Sequence, residues 1–268
     1  LETKPEEKIF NAATEEAAKK IETENKFSFA IFGDTQNANP ADPNSPMSIA
    51  IKNISKQNIE AIIAVGDLVN SCDNDCAAKL SRWKNAFGPL ANKIYPVMGN
   101  HDHTGLKRSK KIWQAIFNLP TNGPVGFNEL TYSLDIKNSH FVFLSSDVPK
   151  ENKVNNIQRT WLEQDLAKNK KANTFVIFHE PAYPVSSKIG ESLDVNSKDR
   201  DELWDILIKY KVTAVFNGHE HLTSRRSIQN IYQFIFGNTN AFNHDAPKPG
   251  YADYSYVGNS YEIGRAHV

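Results

Sequence analysis

The stretch Ile94-Tyr95-Pro96-Val97-Met98-Gly99-Asn100-His101-Asp102 decides how the rest of the chain is interpreted. A short apolar run closed by Gly predicts a buried strand that ends in a tight turn, with the next polar side chains at the strand's carboxyl edge. In open α/β sheets, ligands bind at that edge. The stretch therefore predicts a functional site at the end of a buried strand.

Four other apolar runs end on polar residues in the same way. They are 27–32 before Gly33-Asp34-Thr35-Gln36, 62–65 before Gly66-Asp67, 175–178 before His179, and 212–216 before Asn217-Gly218-His219-Glu220-His221. The carboxyl ends of parallel strands meet at one edge of a sheet. We therefore expect five strand ends to bring carboxylate, amide and imidazole side chains together.

Composition limits what such an edge can belong to. The chain has 268 residues, 40% of them hydrophobic, which suits one large α/β domain with a buried core. Lys plus Arg and Asp plus Glu both total 31, so no net field attracts nucleic acid or an anionic membrane surface. No apolar run approaches the roughly 18 residues that cross a bilayer. We expect a small substrate recognised locally and no nucleic-acid partner, and the oligomeric state stays open.

The two ends of the sequence are kept apart from the fold argument. The sequence starts with Leu1, so we expect a preceding segment to be missing, and residues 262–268 resemble the translation of a sequencing adapter. We expect an N-terminal helical segment at 1–25, one domain at 26–261 that is truncated at its C-terminus, and a non-native tail at 262–268. His267 is left out of the site for that reason.

The segments between the strand ends predict a layered α/β fold. Hydrophobic periodicity predicts helices near 5–22, 47–57, 77–87, 112–117, 157–166 and 203–210. Alternating polar and apolar residues predict antiparallel hairpins at 131–144 and 224–236. Residues 39–46 hold three prolines and no periodicity, so we expect a loop that shapes a pocket beside Asp34. The pattern indicates two packed mixed sheets with helices outside.

The residue types at the edge indicate metal chemistry. Seven side chains are candidate ligands: Asp34, Gln36, Asp67, Asn100, His179, His219 and His221. This mixture of oxygen and nitrogen ligands, without thiolate, suits Mn, Fe, Zn, Co or Ni. Seven ligands exceed the need of one ion, and a shared carboxylate can hold two ions about 3.5 to 4 Å apart in phosphoryl transfer.

Taken in order, the polar blocks resemble the signature of the calcineurin-like metallophosphoesterases. The resemblance covers residues 27 to about 240 and is carried by Gly33-Asp34-Thr35-Gln36, Gly66-Asp67, Gly99-Asn100-His101-Asp102, His179 and Gly218-His219-Glu220-His221. It implies a four-layer α/β/β/α sandwich of two mixed β-sheets flanked by helices. It also implies hydrolysis of phosphomonoesters or phosphodiesters, with a hydroxide that bridges two metals as the nucleophile.

The resemblance also assigns roles to single residues. The first metal site would consist of Asp34, Gln36, Asp67 and His221. The second metal site would consist of Asp67, Asn100, His179 and His219. Asp67 would bridge the two ions, while His101 would face the leaving group with Asp102 orienting it.

Gln36 departs from the family pattern, which usually has His two positions after the first Asp. An amide oxygen can coordinate a metal, but more weakly than imidazole, so we expect the first site to hold its metal less tightly. The change keeps open a second function, a binding scaffold of the same fold with weak or no catalysis. Because such a scaffold would be expected to lose more ligands or His101, we favour the enzyme.

Other polar residues near these motifs have simpler interpretations. His101 has the alternative role of a structural partner for a nearby carbonyl. His103 is expected to face solvent, with a contact to substrate phosphate as the alternative. Tyr183 and Arg225 are expected to be packing and surface residues, with substrate contact as the alternative. We interpret His140 and His244 as structural.

Cys72 and Cys76 lie four residues apart, shortly after Asp67. Two Cys with no nearby His do not complete a tetrahedral zinc site. A disulfide or two free thiols remain, and a disulfide requires an oxidising compartment. We favour an extracytoplasmic bacterial enzyme, while the missing start leaves the location open.

Overall fold

Two β-sheets, packed face to face, form the centre of the molecule. The computed structural model describes residues 27–103, 106–150, 152–237, 239 and 246–257. The helix predicted near 5–22, the tail at 262–268 and His244 lie outside these residues, and the proposed domain limits stay predictions. None of the helices in the described ranges is long and apolar enough to cross a membrane.

The smaller sheet consists of β1 (Phe29–Phe32), β2 (Ala61–Ala64) and β3 (Ile94–Pro96), in that order. Helices α1 (Pro46–Ile54) and α2 (Cys76–Asn85) connect them. The three strands are parallel, since a helical crossover joins each strand to the next. Only the larger sheet is therefore mixed.

Seven strands form the larger sheet. They are β4 (Tyr132–Ile136), β5 (Ser139–Phe143), β6 (Asn173–Ile177), β7 (Ala214–Asn217), β8 (Thr223–Ile228), β9 (Ile231–Phe236) and β10 (Tyr254–Tyr256). Their order in the sheet is β10-β8-β9-β7-β6-β5-β4. Both predicted hairpins are confirmed, since β4 pairs with β5 and β8 with β9 in antiparallel register. Gln229 and Asn230 turn the second hairpin with φ of 49° and 69°, the left-handed values that a tight hairpin turn requires.

The alternation of side chains along β5 shows how the layers are held together. Phe141 packs edge-on against Phe29 of the smaller sheet, with ring centroids 5.1 Å apart. Its neighbour Val142 points to the opposite face, as successive residues of a strand do. There it joins a core that includes Leu162 of α4 (Asn156–Lys168) and Leu203 of α5 (Ser197–Lys209). Burying one Val, Leu or Phe side chain stabilises the folded state by about 1.5–3 kcal/mol relative to leaving it exposed.

The smaller sheet is covered on its outer side in the same way. Met47 of α1, Leu80 of α2 and Trp113 of α3 (Leu106–Ile116) are buried in the same core as β1 and β2. Helices, small sheet, large sheet and helices thus follow one another as four layers. The predicted four-layer α/β/β/α fold is confirmed, except that the smaller sheet, expected to be mixed, is parallel over the described residues.

Residues 39–46 form the loop expected beside the first strand end. The side chains of Asn39 and Asp42 accept hydrogen bonds from the backbone N–H groups two residues on, at 3.0 and 2.9 Å. Such local turns replace regular secondary structure. The loop ends at Ser45, whose hydroxyl caps α1 by accepting from Ser48 N at 3.2 Å, and Pro46 follows at the first helical position.

Candidate metal centre

Three buried side chains and one half-buried side chain, that of Asn100, converge where strands of the two sheets end. His179 Nε2 lies 3.4 Å from Asp67 Oδ1 and 3.2 Å from Asn100 Oδ1. His219 Nδ1 lies 3.1 Å from the same Asn100 oxygen. Asp67, His179 and His219 together have the spacing of a group that could hold a metal ion. Asp67 follows β2, Asn100 follows β3, His179 follows β6 and His219 follows β7.

Backbone carbonyls fix which nitrogen of each imidazole faces this point. His179 Nδ1 lies 2.7 Å from Val65 O, and His219 Nε2 lies 3.0 Å from Glu191 O. A carbonyl oxygen only accepts, so these two nitrogens donate their protons to it. When a ring is neutral, its opposite nitrogen presents a lone pair on the side of Asp67 and Asn100. Metal-binding histidines are typically oriented by such outward hydrogen bonds.

The charges at this point require a positive partner. Burial lowers the pKa of His219 to about 3, with the charge of His179 as the next cause, so its imidazole stays neutral. Burial would also lower the pKa of His179, but the Asp67 carboxylate outweighs burial and raises it well above the usual value. The position beside Asp67 therefore attracts positive charge, which either a proton on His179 or a bound cation supplies.

Asp34, Gln36 and His221 line the other side of Asp67. His221 Nε2 lies 3.7 Å from Asp34 Oδ1, and Gln36 Nε2 lies 3.3 Å from His221 Nε2 and 3.4 Å from Asp67 Oδ2. Gln36 Oε1 is buried and has no hydrogen-bond partner. A half-turn of this amide would direct its oxygen at Asp67 and His221, where an oxygen needs a cation as partner. The residues present thus fit a metal at both sites.

The backbone is held in an unusual conformation at three of these residues. Asp34, Asp67 and His219 have φ of 54°, 52° and 69°, in the left-handed region. Non-Gly residues there cost on the order of 1–3 kcal/mol each and cluster at functional sites. The carboxylates also need close backbone approach, because a Cβ at Gly99 would meet Asp67 Oδ1 and one at Gly218 would meet Asp34 Oδ2.

Asp34 is anchored by the same turn that carries the histidines. Both of its oxygens accept from His219 N, at 3.0 Å each. Burial raises the pKa of Asp34 well above its usual value, and the charge of His179 offsets this only in part. For Asp67, His179 outweighs the effect of burial, so the pKa of Asp67 lies below its usual range. A bound cation would stabilise both carboxylates in their charged form.

His101 lies at the rim of the centre with one ring nitrogen fixed. Its Nδ1 donates to Asn70 O at 2.7 Å, and its backbone N–H donates to Asp67 Oδ1 at 2.9 Å. The ring Nε2 lies 3.9 Å from Asp67 Oδ2, and the side chain is 40% exposed. His101 is therefore the histidine of this group that a substrate can reach.

Asp102 does not orient the His101 ring in the way the sequence predicted. Its Oδ1 accepts from Leu68 N at 2.9 Å and Val69 N at 3.1 Å, and its Oδ2 accepts from Gly99 N at 3.0 Å. The carboxyl group is fully buried and ties the turn after β2 to the turn after β3. The backbone carbonyl of Asn70 orients the ring instead, because it accepts the hydrogen bond from His101 Nδ1.

The remaining polar candidates lie in other surroundings. Tyr183 packs edge-on against Trp204 at 4.9 Å, and Arg225 lies over the Tyr232 ring at 5.6 Å, so both are packing residues as first interpreted. His103 is half-buried with an unpartnered Nε2. His140 bridges Asp135 at 2.7 Å and Asp165 at 2.8 Å, in agreement with a structural role.

Sequence reasoning missed three backbone carbonyl groups that accept a hydrogen bond from a ring and so position it. They are those of Val65 for His179, Asn70 for His101 and Glu191 for His219. A carbonyl acts regardless of the side chain, so the sequence carries no signal for it. It also left Cys72 and Cys76 undecided, and the structure joins them in a disulfide at the first residue of α2.

Residues 27–222 match the family model for calcineurin-like phosphoesterases, and this span holds all seven candidate ligands. The chain belongs to the calcineurin-like phosphoesterase family. Purple acid phosphatase 23 of Arabidopsis thaliana is 30% identical over 162 residues, which are 57% of this chain and 33% of that protein. Purple acid phosphatase 15 of the same plant is 25% identical over 205 residues, which are 65% and 37%. This chain thus spans about a third of the length of these relatives.

Solved structures of this family share the fold. The purple acid phosphatase PPD1 from yellow lupin seeds superposes with a TM-score of 0.70 at 17% identity, covering 90% of this chain and 49% of that one. GAP50, the anchor in the inner membrane complex of Plasmodium, superposes with a TM-score of 0.62 at 14% identity, covering 90% and 79%. At these identities the likeness to the solved structures concerns the fold alone. The predicted resemblance to the family is confirmed by the match to the family model.

Proposed function

We propose that this chain hydrolyses phosphate esters with two divalent or transition metal ions, chosen among Mn, Fe, Zn, Co and Ni. The first ion would be held by Asp34, Gln36, Asp67 and His221. The second ion would be held by Asp67, Asn100, His179 and His219. The substrate is a phosphomonoester or phosphodiester of small size, because the net charge of zero offers no track for a long polyanion.

The observation that carries the proposal is the cluster of Asp67, His179 and His219 around the side-chain oxygen of Asn100. Oxygens of Asp67 and Asn100 face ring nitrogens of His179 and His219, whose own protons are directed outwards. When bound, the ions would stabilise the phosphoryl oxygens as Lewis acids and supply a water of lowered pKa as nucleophile. Asp67 is the residue that both sites share, so its carboxylate fixes their separation.

His101 acts on the side of the leaving group in this proposal. With Nδ1 donating to Asn70 O, the second proton of an imidazolium is on Nε2, at the exposed side of the centre. Nε2 can donate that proton to the ester oxygen as it leaves. Such general-acid catalysis typically contributes about 10²- to 10⁴-fold in rate.

The curated relatives support hydrolysis, while one solved structure of the same fold supports the alternative of a binding scaffold. Phosphatases are the curated relatives that match this chain, whereas GAP50 has the same fold and is described as an anchor. A fold hosts more than one function, so the ligand set has to decide. The seven candidate ligands and His101 are all present here, which favours the enzyme.

An activity panel with reconstituted metals tests the proposal. The protein is loaded with Mn, Zn or Fe, its metal content is measured, and phosphomonoester, phosphodiester and nucleotide substrates are compared. We expect hydrolysis of at least one class that disappears on chelation and in Asp67→Asn. Stable metal binding with no turnover of any class would support the scaffold instead.

A further inference from the structure

A cleft of about 330 Å³ opens beside the metal centre and has no assigned role. Gln36, a candidate ligand, forms part of its wall, and Asn70, whose carbonyl holds His101, forms another part. The loop after β1 contributes Asn39, and α2 contributes Lys79, Arg82 and Trp83. The cleft therefore shares one wall residue with the proposed metal centre and another with the carbonyl that orients His101.

The wall of this cleft is positive and rich in amides. Among its lining residues in the described part of the chain, Lys79 and Arg82 are the charged ones, and no Asp or Glu belongs to the lining. They lie three positions apart on α2, so they share one face of the helix. Side chains of Asn37, Asn39 and Asn70 add hydrogen-bonding groups. Such a wall favours an anionic, polar occupant over an apolar one.

The two cations differ in how far they are already neutralised. Lys79 Nζ forms an ion pair with Asp73 at 2.9 Å and donates to Ser71 O and Ser71 Oγ at 3.2 Å. In the described structure, the guanidinium of Arg82 makes no hydrogen bond or ion pair. Arg82 therefore has its five donors open to a carboxylate or phosphate, which guanidinium binds in bidentate fashion.

We propose that this cleft binds the alcohol part of the substrate and selects esters whose alcohol carries a second anionic group, which Arg82 binds. The inference rests on the proposed function, because the alcohol leaves on the side of His101 and Asn70 joins that side to the cleft. A phosphate held at the centre would place the attached alcohol along Gln36 and Asn70. Its far anionic group would then reach α2.

Paired substrates of graded length test this selection. Alkane-α,ω-diol bisphosphates with three to eight carbons are compared with the matching monophosphates, using wild type, Arg82→Gln, Arg82→Lys, Lys79→Gln and the distant surface control Lys198→Gln. The readout is the ratio of kcat/KM between bisphosphate and monophosphate, so a general loss of activity cancels. In wild type we expect a preference of about tenfold at the best length, the size of one charge-assisted contact reduced by solvent.

The variants should separate the two cations. We expect the preference to fall close to one in Arg82→Gln, to survive in part in Arg82→Lys, and to decrease little in Lys79→Gln because Asp73 already neutralises that charge. Lys198→Gln should keep it, since Lys198 is 89% exposed on α5. Equal rates for both members of every pair, or a preference that persists in Arg82→Gln, would overturn the proposal.

A binding measurement separates this inference from the proposed function. Titration calorimetry of the non-hydrolysable alkane-α,ω-bisphosphonates and alkyl monophosphonates is carried out on the Mn-loaded protein and on the same variants. If no ester is hydrolysed, the proposed function fails. The ratio of dissociation constants between monophosphonate and bisphosphonate still tests whether the cleft binds a second anionic group. A bisphosphonate preference that depends on Arg82 supports the selection, and its absence refutes it.

Discussion

Two regions of the larger sheet hold buried histidines in opposite electrostatic situations. At the strand ends, His179 and His219 each donate one ring proton to a backbone carbonyl and turn the other nitrogen to a shared point. In the β4–β5 hairpin, both nitrogens of His140 face carboxylates, Asp135 and Asp165. The carbonyl leaves His219 a neutral ring with a lone pair, whereas two carboxylates favour the charged imidazolium of His140. His179 lies between these cases, because Asp67 also raises its pKa, so it offers a lone pair only when a cation takes the place of its second proton.

The comparison shows that a histidine's partners decide its function more than its burial does. His140 and His219 are both buried, with 7% and 6% of their surface exposed. Burial lowers the pKa of His219 to about 3, while the two carboxylates overcome burial at His140 and raise its pKa. A neutral ring can bind a metal, and a charged ring cannot. The experiments below test this difference, from the largest expected effect to the smallest.

Replacing the carboxylate that the two proposed metal sites share should have the largest effect. We expect Asp67→Asn to lower the metal content of both sites, with a loss in affinity of roughly 100-fold or more, because even outer partners of ligands contribute 10- to 100-fold. Phosphoesterase activity should disappear with the metal. Elemental analysis after reconstitution with Mn, Zn or Fe measures the content.

Asp165→Asn provides the matched control for that experiment. It removes a carboxylate from a buried histidine, His140, in the other region. Metal content and activity should then stay at the wild-type level. If Asp67→Asn retained both metals, or if the two variants lost metal equally, the distinction between the regions would be wrong.

The next effect concerns His101, whose Nδ1 is oriented by a carbonyl as in the ligands but whose ring is 40% exposed. We expect His101→Ala to keep both metals and to lower kcat about 10²- to 10⁴-fold for alkyl phosphates. The loss should be much smaller for nitrophenyl phosphate, whose leaving group barely needs a proton. Steady-state kinetics with both substrates, alongside metal analysis, measures this.

Two outcomes would change the role of His101. An equal loss on both substrates would argue against proton donation and favour electrostatic stabilisation. Loss of metal would make the His101 ring a support of the turn at Asn100, since the substitution removes its hydrogen bond to Asn70 O at 2.7 Å. Asp102→Asn should resemble a folding defect more than a catalytic one, because Asp102 binds the backbone of Leu68, Val69 and Gly99.

A smaller effect is expected at Gln36, where a neutral amide lies among the proposed ligands of the first site. We expect Gln36→His to slow the loss of one metal under chelation and to leave the other unchanged, because imidazole nitrogen coordinates more strongly than amide oxygen. Release of the two metals is followed by a colorimetric chelator over time. The hypothesis is refuted if the unaltered protein loses both metals at one rate.

The strand-end pattern was enough to predict which side chains meet. Asp34, Asp67 and Asn100 follow parallel strands of the smaller sheet, whose carboxyl ends share one edge. His179 follows β6 of the larger sheet and joins them because the two sheets pack face to face. The antiparallel hairpins were predictable for the same kind of reason, since alternation over 224–236 fixes which residues face the core. The pattern thus predicted both the fold and the set of proposed ligands.

The details that the sequence did not predict depend on the paths of the loops that connect the strands. Glu191 lies 28 residues before His219, and its carbonyl meets that ring only because of the path after β6. Asp102 was expected to orient its neighbour, but its short side chain turns to three backbone N–H groups instead. The disulfide between Cys72 and Cys76 was one of two alternatives that spacing alone allows.

The smallest expected effect is on stability and concerns His140, the histidine outside the metal centre. The hydrogen bonds and charges of Asp165 and Asp135 raise the pKa of His140 in the folded state, although burial opposes them. Lys171 also faces Asp135, at 3.5 Å, and reduces the negative charge there. The folded state therefore binds the proton more tightly than the unfolded state, in which the pKa is about 6.5.

The sign of the pH dependence follows from this linkage. The stabilisation by protonated His140 is fully present below the unfolded pKa of about 6.5 and is lost as the pH rises through the raised folded value. We expect His140→Gln to lower stability by about 1 kcal/mol at pH 5.5, as for a partly exposed ion pair, and to have a smaller effect well above neutrality. Thermal unfolding of both proteins across this range, in the absence of metal, measures the difference, and Ser227→Ala on the exposed side of β8 should shift the curves equally at every pH. A difference for His140→Gln that stays constant or grows with pH would mean that the imidazole is neutral, and its two carboxylates would then no longer set it apart from His219.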